Sequence, residues 1–188
     1  MENLEQLAGL LKHWNAIGSQ IAAVIGRPAQ SGHLAEYIAS QIFEIRLEDS
    51  ASSKGIDGHF TKGKLKGRTV NVKYKGKNDG LLTVDPSGVA DVYLVLAGPK
   101  SPNRSSRGKS RPWVIESVFI FELKKLISRL DERATQKGRG KARLGTATSI
   151  SWSDWNEFEI YPRQNSRLIN VTDLQRKALR LFSSVIAD

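Results

Sequence analysis

Asn71 and Lys73 stand two residues apart in TVNVKYKGK (69–77), a stretch that alternates apolar and polar side chains. On a β-strand that spacing sends both side chains to one face, while Val70 and Val72 point into the core. Asp57, in the preceding KGIDGHF (54–60), falls at the start of a neighbouring strand. Its carboxylate and the Asn71 amide oxygen can then share one Mg²⁺, or Mn²⁺, with the Val72 backbone carbonyl as a third ligand. The chemistry expected of such a platform is phosphodiester hydrolysis. The cation lowers the pKa of a bound water and neutralises charge on the scissile phosphate, and the Lys73 ammonium positions the nucleophile or stabilises the transition state.

Each residue also has a plainer reading. Asp57 could cap a lysine-rich hairpin, and Lys73 could be one of many lysines that touch phosphate. Lys75 lies on the same face two residues on. His59, two residues from Asp57, would share its strand face and reads as a supporting residue. Gly55 and Gly58 flank Ile56 and Asp57; they allow a sharp strand entry, a close approach of substrate backbone, or a plain turn. Trp113, Trp152 and Trp155 lie beside or after basic loops, yet read as core or interface residues.

The elements that would position these groups form an α/β pattern. Leu4, Leu7, Leu11 and Trp14 have helical spacing, and IGSQIAAVIG follows and ends at Gly26, so residues 1–30 form a helical N-terminal arm. A helix is expected from Ser31, with Ser31 as its cap and Leu34, Ile38, Ile42 and Ile45 on a buried stripe, leaving Glu36 on another face. Residues 54–61 and 68–75 read as a hairpin around KGKLKG. The continuous apolar run ADVYLVLAG reads as a central strand buried on both faces. Residues 98–112 have the Pro, Gly, Ser and Arg content of a long loop. WVIESVFIF then reads as strand, ELKKLISRLDERA as helix, and a short strand is expected near Thr146 to Ser151. A closing helix opens with the Thr172–Gln175 capping box and carries Leu174, Ala178, Leu181 and Val185 on one stripe. The 188 residues suit a single domain, with residues 113–188 completing the core begun by 31–97.

The string GHLAEYIASQIF, KGIDGHF, TVNVKYKGK resembles the PD-(D/E)xK nuclease superfamily. In that superfamily a Glu-bearing helix precedes a strand with an Asp, and the next strand carries an acid, any residue, then a Lys. The resemblance spans about residues 31–97 and implies a restriction-endonuclease-like mixed sheet flanked by helices. It implies a Mg²⁺-dependent DNA endonuclease of restriction or defence type, with catalytic positions at Glu36, Asp57, Asn71 and Lys73. Glu36 would be an auxiliary acid and metal ligand. Asn71 departs from the usual acid, and its amide oxygen brings no negative charge to the cation. A catalytically inactive nucleic-acid-binding module of the same fold is therefore the second reading. The third is an RNA-binding protein.

Charge is consistent with a polyphosphate partner. Residues 62–77, 100–111 and 137–143 hold sixteen Lys or Arg and no acid, whereas the other 153 residues have a net charge of −6. Local cation density of this kind neutralises phosphates and releases condensed counterions. The residues expected to contact nucleic acid, with double-stranded DNA the first choice, are Lys62, Lys64, Lys66, Arg68, Lys75, Lys77, Arg104, Arg107, Lys109, Arg111, Lys137, Arg139, Lys141 and Arg143. Cutting both strands would suit a homodimer. The chain has no cysteine and three histidines, which excludes disulfide frameworks and cysteine-based zinc sites. It has neither an apolar span nor a basic leader at its acidic start, so no membrane partner and a cytoplasmic location are expected.

Overall fold

VYLVLA (92–97) is apolar throughout because its strand is covered from above and below. In a computed structural model describing residues 2–49, 55–76, 81–85, 89–100, 112–136, 148–151 and 156–184, this strand sits inside a mixed sheet. The strands are β1 (Ile45–Leu47), β2 (Gly58–Phe60), β3 (Thr69–Lys75), β4 (Leu81–Val84), β5 (Val92–Ala97), β6 (Ser117–Glu122), β7 (Thr148–Ser151) and β8 (Glu159–Tyr161). The helices are α1 (Glu2–Ile25), α2 (Ser31–Phe43), α3 (Leu123–Gln136) and α4 (Asp173–Arg180). Six strands form one sheet in the order β1-β2-β3-β5-β6-β8, and β4 and β7 pair separately. Only β3 and β5 run parallel within the six-stranded sheet, from Val70↔Val92 to Lys75↔Ala97. The architecture is thus α/β, a mixed sheet flanked by helices.

The period-2 alternation divides the core between the two faces. Val70, Val72, Leu94 and Ile120 join Ala35, Ile38, Ala39 and Ile42 of α2 on one side. Tyr93, Val95, Phe119 and Phe121 join Leu82 and Val84 of β4 and Leu123 and Leu126 of α3 on the other. Full burial of a side chain such as Leu94 or Ile120 contributes about 1.5–3 kcal/mol. Among the described residues, no helix is long and apolar enough to cross a membrane.

The N-terminal arm is helical as expected, one continuous 24-residue helix followed by Gly26 at φ +70°. Several other local expectations are corrected. Ser31 is the first residue of α2 rather than its cap; Gln30 occupies the cap position with no side-chain bond. The helix stops at Phe43 because Glu44 turns left-handed at φ 54°, so Ile45 opens β1 instead of extending the stripe. The hairpin has a three-residue first strand and a 3₁₀ turn at Gly63–Leu65. In α4 the capping box forms, with Gln175 N–H donating to Thr172 Oγ1 at 3.3 Å and Thr172 N–H to Gln175 Oε1 at 2.9 Å. The amide of Gln175 also donates to the Ile42 carbonyl at 2.9 Å, which ties this short helix to the end of α2. Leu174 and Leu181 are exposed and Leu179 is buried instead. Leu174 lies inside α4, so the expected stripe is on the wrong face, and Leu181 falls just past the helix end at Arg180; Val185 lies outside the described residues.

The lysine-rich turn end of the hairpin is fastened to β5 and β6. Asp91 Oδ2 accepts from both the N–H and the hydroxyl of Thr69 at 2.9 Å, and Thr69 Oγ1 accepts from Asp91 N–H at 2.9 Å. Arg68 donates to Glu122 at 3.0 Å, and Lys125 pairs with the same carboxylate. The Thr69 N–H, helped by its hydroxyl and Arg68, holds the Asp91 carboxyl below its ordinary range. Lys125 first, then Arg68, does the same for Glu122. Carboxyl groups depressed in the fold contribute stability that is fully present above their unfolded pKa and is lost as pH falls through the folded values. Thermal unfolding should therefore show stability declining as pH drops below about 4. Thr69→Ala, which removes the hydroxyl but keeps the N–H, should lower stability at neutral pH by about 1–2 kcal/mol and flatten that acid limb only in part; an Asp91→Asn protein with an unchanged acid limb would show that this carboxylate does not govern it.

Candidate active site

The ladder between β2 and β3 covers two residue pairs, Gly58↔Val70 and His59↔Thr69. Asp57 stands where it ends. Its N–H donates to the Val70 carbonyl at 2.9 Å, and its side-chain Oδ2 accepts from the Val72 N–H at 2.6 Å. The carboxylate thus replaces a strand partner at the point where the backbones part. On the other side the Asp57 carbonyl accepts from Glu48 N–H at 2.9 Å, just beyond β1. Gly58 is required for this arrangement, because a Cβ there would lie 2.4 Å from the Arg46 carbonyl oxygen. Its close approach is to β1 of the same chain. Gly55, at φ +78°, supplies the sharp entry.

The antiparallel register sets Asn71 opposite Asp57. Asn71 Nδ2 donates to the Gly55 carbonyl at 3.1 Å, which fixes the amide orientation because only the NH₂ end can serve a carbonyl. Its Oδ1 is then buried with no hydrogen-bond partner among the described residues. Lys73, two residues along, places its ammonium 4.8 Å from the centroid of the Tyr93 ring. Tyr93 is in register with Asn71, and its hydroxyl accepts from Asp85 N–H at 3.4 Å.

Glu36 approaches from α2. Arg27, just past α1, donates to Glu36 Oε2 at 2.8 Å and to the Glu48 carbonyl at 2.6 Å. His59 Nδ1 lies 3.4 Å from Glu48 Oε1. Burial, with the Glu36 charge adding to it, pushes the Asp57 carboxyl up; the Val72 N–H, Lys73 and Arg27 act against this. Burial likewise pushes the Lys73 ammonium down, with Lys75 in the same direction and Asp57 and Asp85 opposing. Glu36, Asp57, Asn71 and Lys73 are therefore brought to one place. Arg27 and Tyr93 belong there as well. An arginine between a helix-ending glycine and a proline was the one signal for Arg27; for Tyr93 there was none, because only the β3–β5 register sets it opposite Asn71.

The expected nucleic-acid contacts that lie among the described residues fall at both ends of β3. Lys75 lies at the C-terminal end of β3, where its carbonyl accepts from Gly98 N–H at 2.8 Å. Lys62, Lys64 and Lys66 are exposed on the hairpin turn. That turn is at the opposite end of β3 from Lys73, about 13 Å from Thr69 to Lys73 at 3.3 Å per residue. Lys62 pairs with Glu44 at 2.8 Å, and Arg68 is engaged by Glu122. Lys62 and Lys64 also edge a 260 Å³ pocket between the end of α2, the 3₁₀ turn and the loop before α4, away from Asp57. Trp113 stacks on Tyr74 at 4.5 Å against the core. Lys77, Arg104, Arg107, Lys109, Arg111, Lys137, Arg139, Lys141 and Arg143, with Trp152 and Trp155, lie outside the described residues.

As a cation site the cluster is of the hard, all-oxygen kind. Asp57 supplies a carboxylate and Asn71 an acceptor with no competing donor. It is poor in charge, because Glu36 is shared with Arg27 and no group of three His, Cys, Asp or Glu among the described residues could hold a metal ion. No protein-family model matches the chain, and no curated protein matches it.

Proposed function

We propose that the chain is a metal-dependent nucleic-acid phosphodiesterase of restriction-endonuclease-like fold, acting in the cytoplasm as an endonuclease on double-stranded DNA. The observation that carries this reading is the unpartnered Oδ1 of Asn71 opposite the Asp57 carboxylate, with Lys73 on the same strand face. Asp57 and Asn71, with the Val72 carbonyl and Glu36, would hold a Mg²⁺ or Mn²⁺ ion. When bound, that ion would supply charge neutralisation at the scissile phosphate and a more acidic attacking water. Lys73, half buried over Tyr93, presents its ammonium to a phosphate oxygen or to the attacking water; its desolvation strengthens that contact. Arg27 orients Glu36 and offsets the like charge it presents to Asp57. The choice of DNA over RNA rests on the motif resemblance.

A second reading has its own support. The neutral Asn71 and the pairing of Glu36 with Arg27 leave the site short of negative charge, as expected of a binding module of the same fold that has lost turnover. Incubation of supercoiled plasmid, single-stranded DNA and structured RNA with the protein in Mg²⁺, Mn²⁺ or EDTA separates the two, with binding assayed in parallel. The nuclease nicks or linearises DNA only with metal, and Lys73→Ala slows cleavage by about 10²-fold or more with little change in affinity. Undiminished binding in EDTA with no cleavage under any metal would establish the module instead.

A further inference from the structure

Helix α1 is about 36 Å long at 1.5 Å per residue, and none of its residues is buried. Leu4, Leu7, Leu10, Leu11, Trp14, Ile17 and Val24 are all at least half exposed, from 50% for Leu7 to 75% for Trp14. Gly9 and Gly18 also face open space. Of its side chains, only those of the last turns, Ile21, Ala22 and Ile25, are partly covered. A helix of this length with two glycines and no buried residue is marginal in water, because helices in proteins draw most of their stability from a covered apolar stripe. Such a surface calls for an occupant.

We propose that the occupant is a second copy of this chain, pairing α1 with α1. Leu4, Leu7, Leu11, Trp14, Gly18, Ile21 and Ile25 recur at alternating steps of three and four over the whole helix, the period at which helices wrap around one another. The flanking rows hold Asn3, Leu10, Ile17 and Val24 on one side and Ala8, Asn15 and Ala22 on the other. No charged residue lies on the seam or beside it, so two identical helices meet without like-charge repulsion. Seven large apolar side chains, each at least half exposed along one helix, make a contiguous patch of the kind that marks an interaction site. A lipid surface is disfavoured, since an interfacial helix needs a polar face rich in Lys and Arg and α1 carries Lys12 alone. Two residues beyond the helix, Arg27 is bonded to Glu36 and to the Glu48 carbonyl. The pairing element is thereby joined to the candidate active site of each copy.

The test is the mass of the full chain by sedimentation equilibrium, which needs no substrate and stands apart from the catalytic reading. Wild type should sediment at twice 20.8 kDa at about 10 µM. Leu7→Glu combined with Leu11→Glu should weaken association at least about a hundredfold, giving monomer, whereas Glu5→Gln, off the seam, should leave the dimer unchanged. Both substituted leucines are outside the core, so cooperative unfolding of the sheet should persist in the double variant and shows that it is folded. A monomeric wild type at 100 µM or above, a double variant that dimerises like wild type, or a monomer that co-sediments with anionic vesicles would each overturn the proposal.

Discussion

Asp57→Asn protein is expected to bind duplex DNA like wild type, to cleave it at least about 10²-fold more slowly, and to melt a few degrees higher in EDTA. The asparagine keeps an oxygen for the Val72 N–H, a bond of 2.6 Å in wild type, so the parting of β2 and β3 is preserved. What disappears is a buried negative charge that faces Glu36 and is only partly balanced by Lys73 and Arg27. Without metal that charge is a liability, because burial and a like charge both oppose ionisation. On the proposed reading, with metal bound it would be the strongest ligand of the set, since Asn71 adds no charge of its own. Function and stability should therefore move in opposite directions at this residue. Cleavage assays and melting curves in EDTA check both limbs. A melting temperature several degrees lower would make Asp57 a structural cap of the strand end, and unchanged cleavage would remove it from the chemistry.

The largest effect on folding is expected at Gly58. Any Cβ there meets the Arg46 carbonyl oxygen at 2.4 Å and Ile45 Cγ2 at 2.8 Å, and the first of these is backbone that cannot rotate aside. Gly58→Val should force β1 away from β2 and lower stability by about 2–3 kcal/mol, or roughly 5–10 °C in melting temperature. Gly55→Ala is the control. Nothing lies within 4 Å of its Cβ position, so it should lose only the cost of a left-handed alanine, about 1–2 kcal/mol. Equal losses at the two glycines would mean that β1 yields easily and that the contact is not what demands glycine at 58.

Much of the site was legible because local spacing dictated it. Asn71 and Lys73 share a strand face for the same period-2 reason that Val70, Val72, Leu94 and Leu96 share a core cluster. The apolar run of β5 announced a strand covered on both faces, and the Thr172–Gln175 spacing announced a helix start. What escaped the sequence depends on where chains end and cross. Short strands such as β1 and β8, three residues each, are too brief to show a period. The α4 stripe failed because spacing alone does not say which face of a two-turn helix the core covers: Leu174 lies within α4 and is exposed, whereas Leu179 is buried.

By itself, the sequence determined the alternation that puts Asn71 and Lys73 on one side of β3, the helical spacing of Leu4, Leu7, Leu11 and Trp14 in α1, and the crowding of positive charge into three segments. Each is a property of neighbours along the chain, governed by strand pleat, helix pitch and composition. Only the tertiary structure decided that the lysine-rich turn lies at the opposite end of β3 from Lys73, that Gly58 is demanded by β1, that Arg68 is taken up by Glu122 and that Arg27 reaches Glu36. These depend on strand order and on contacts between residues far apart in sequence, where one register or one crossover sets which side chains meet. No local pattern carries that information.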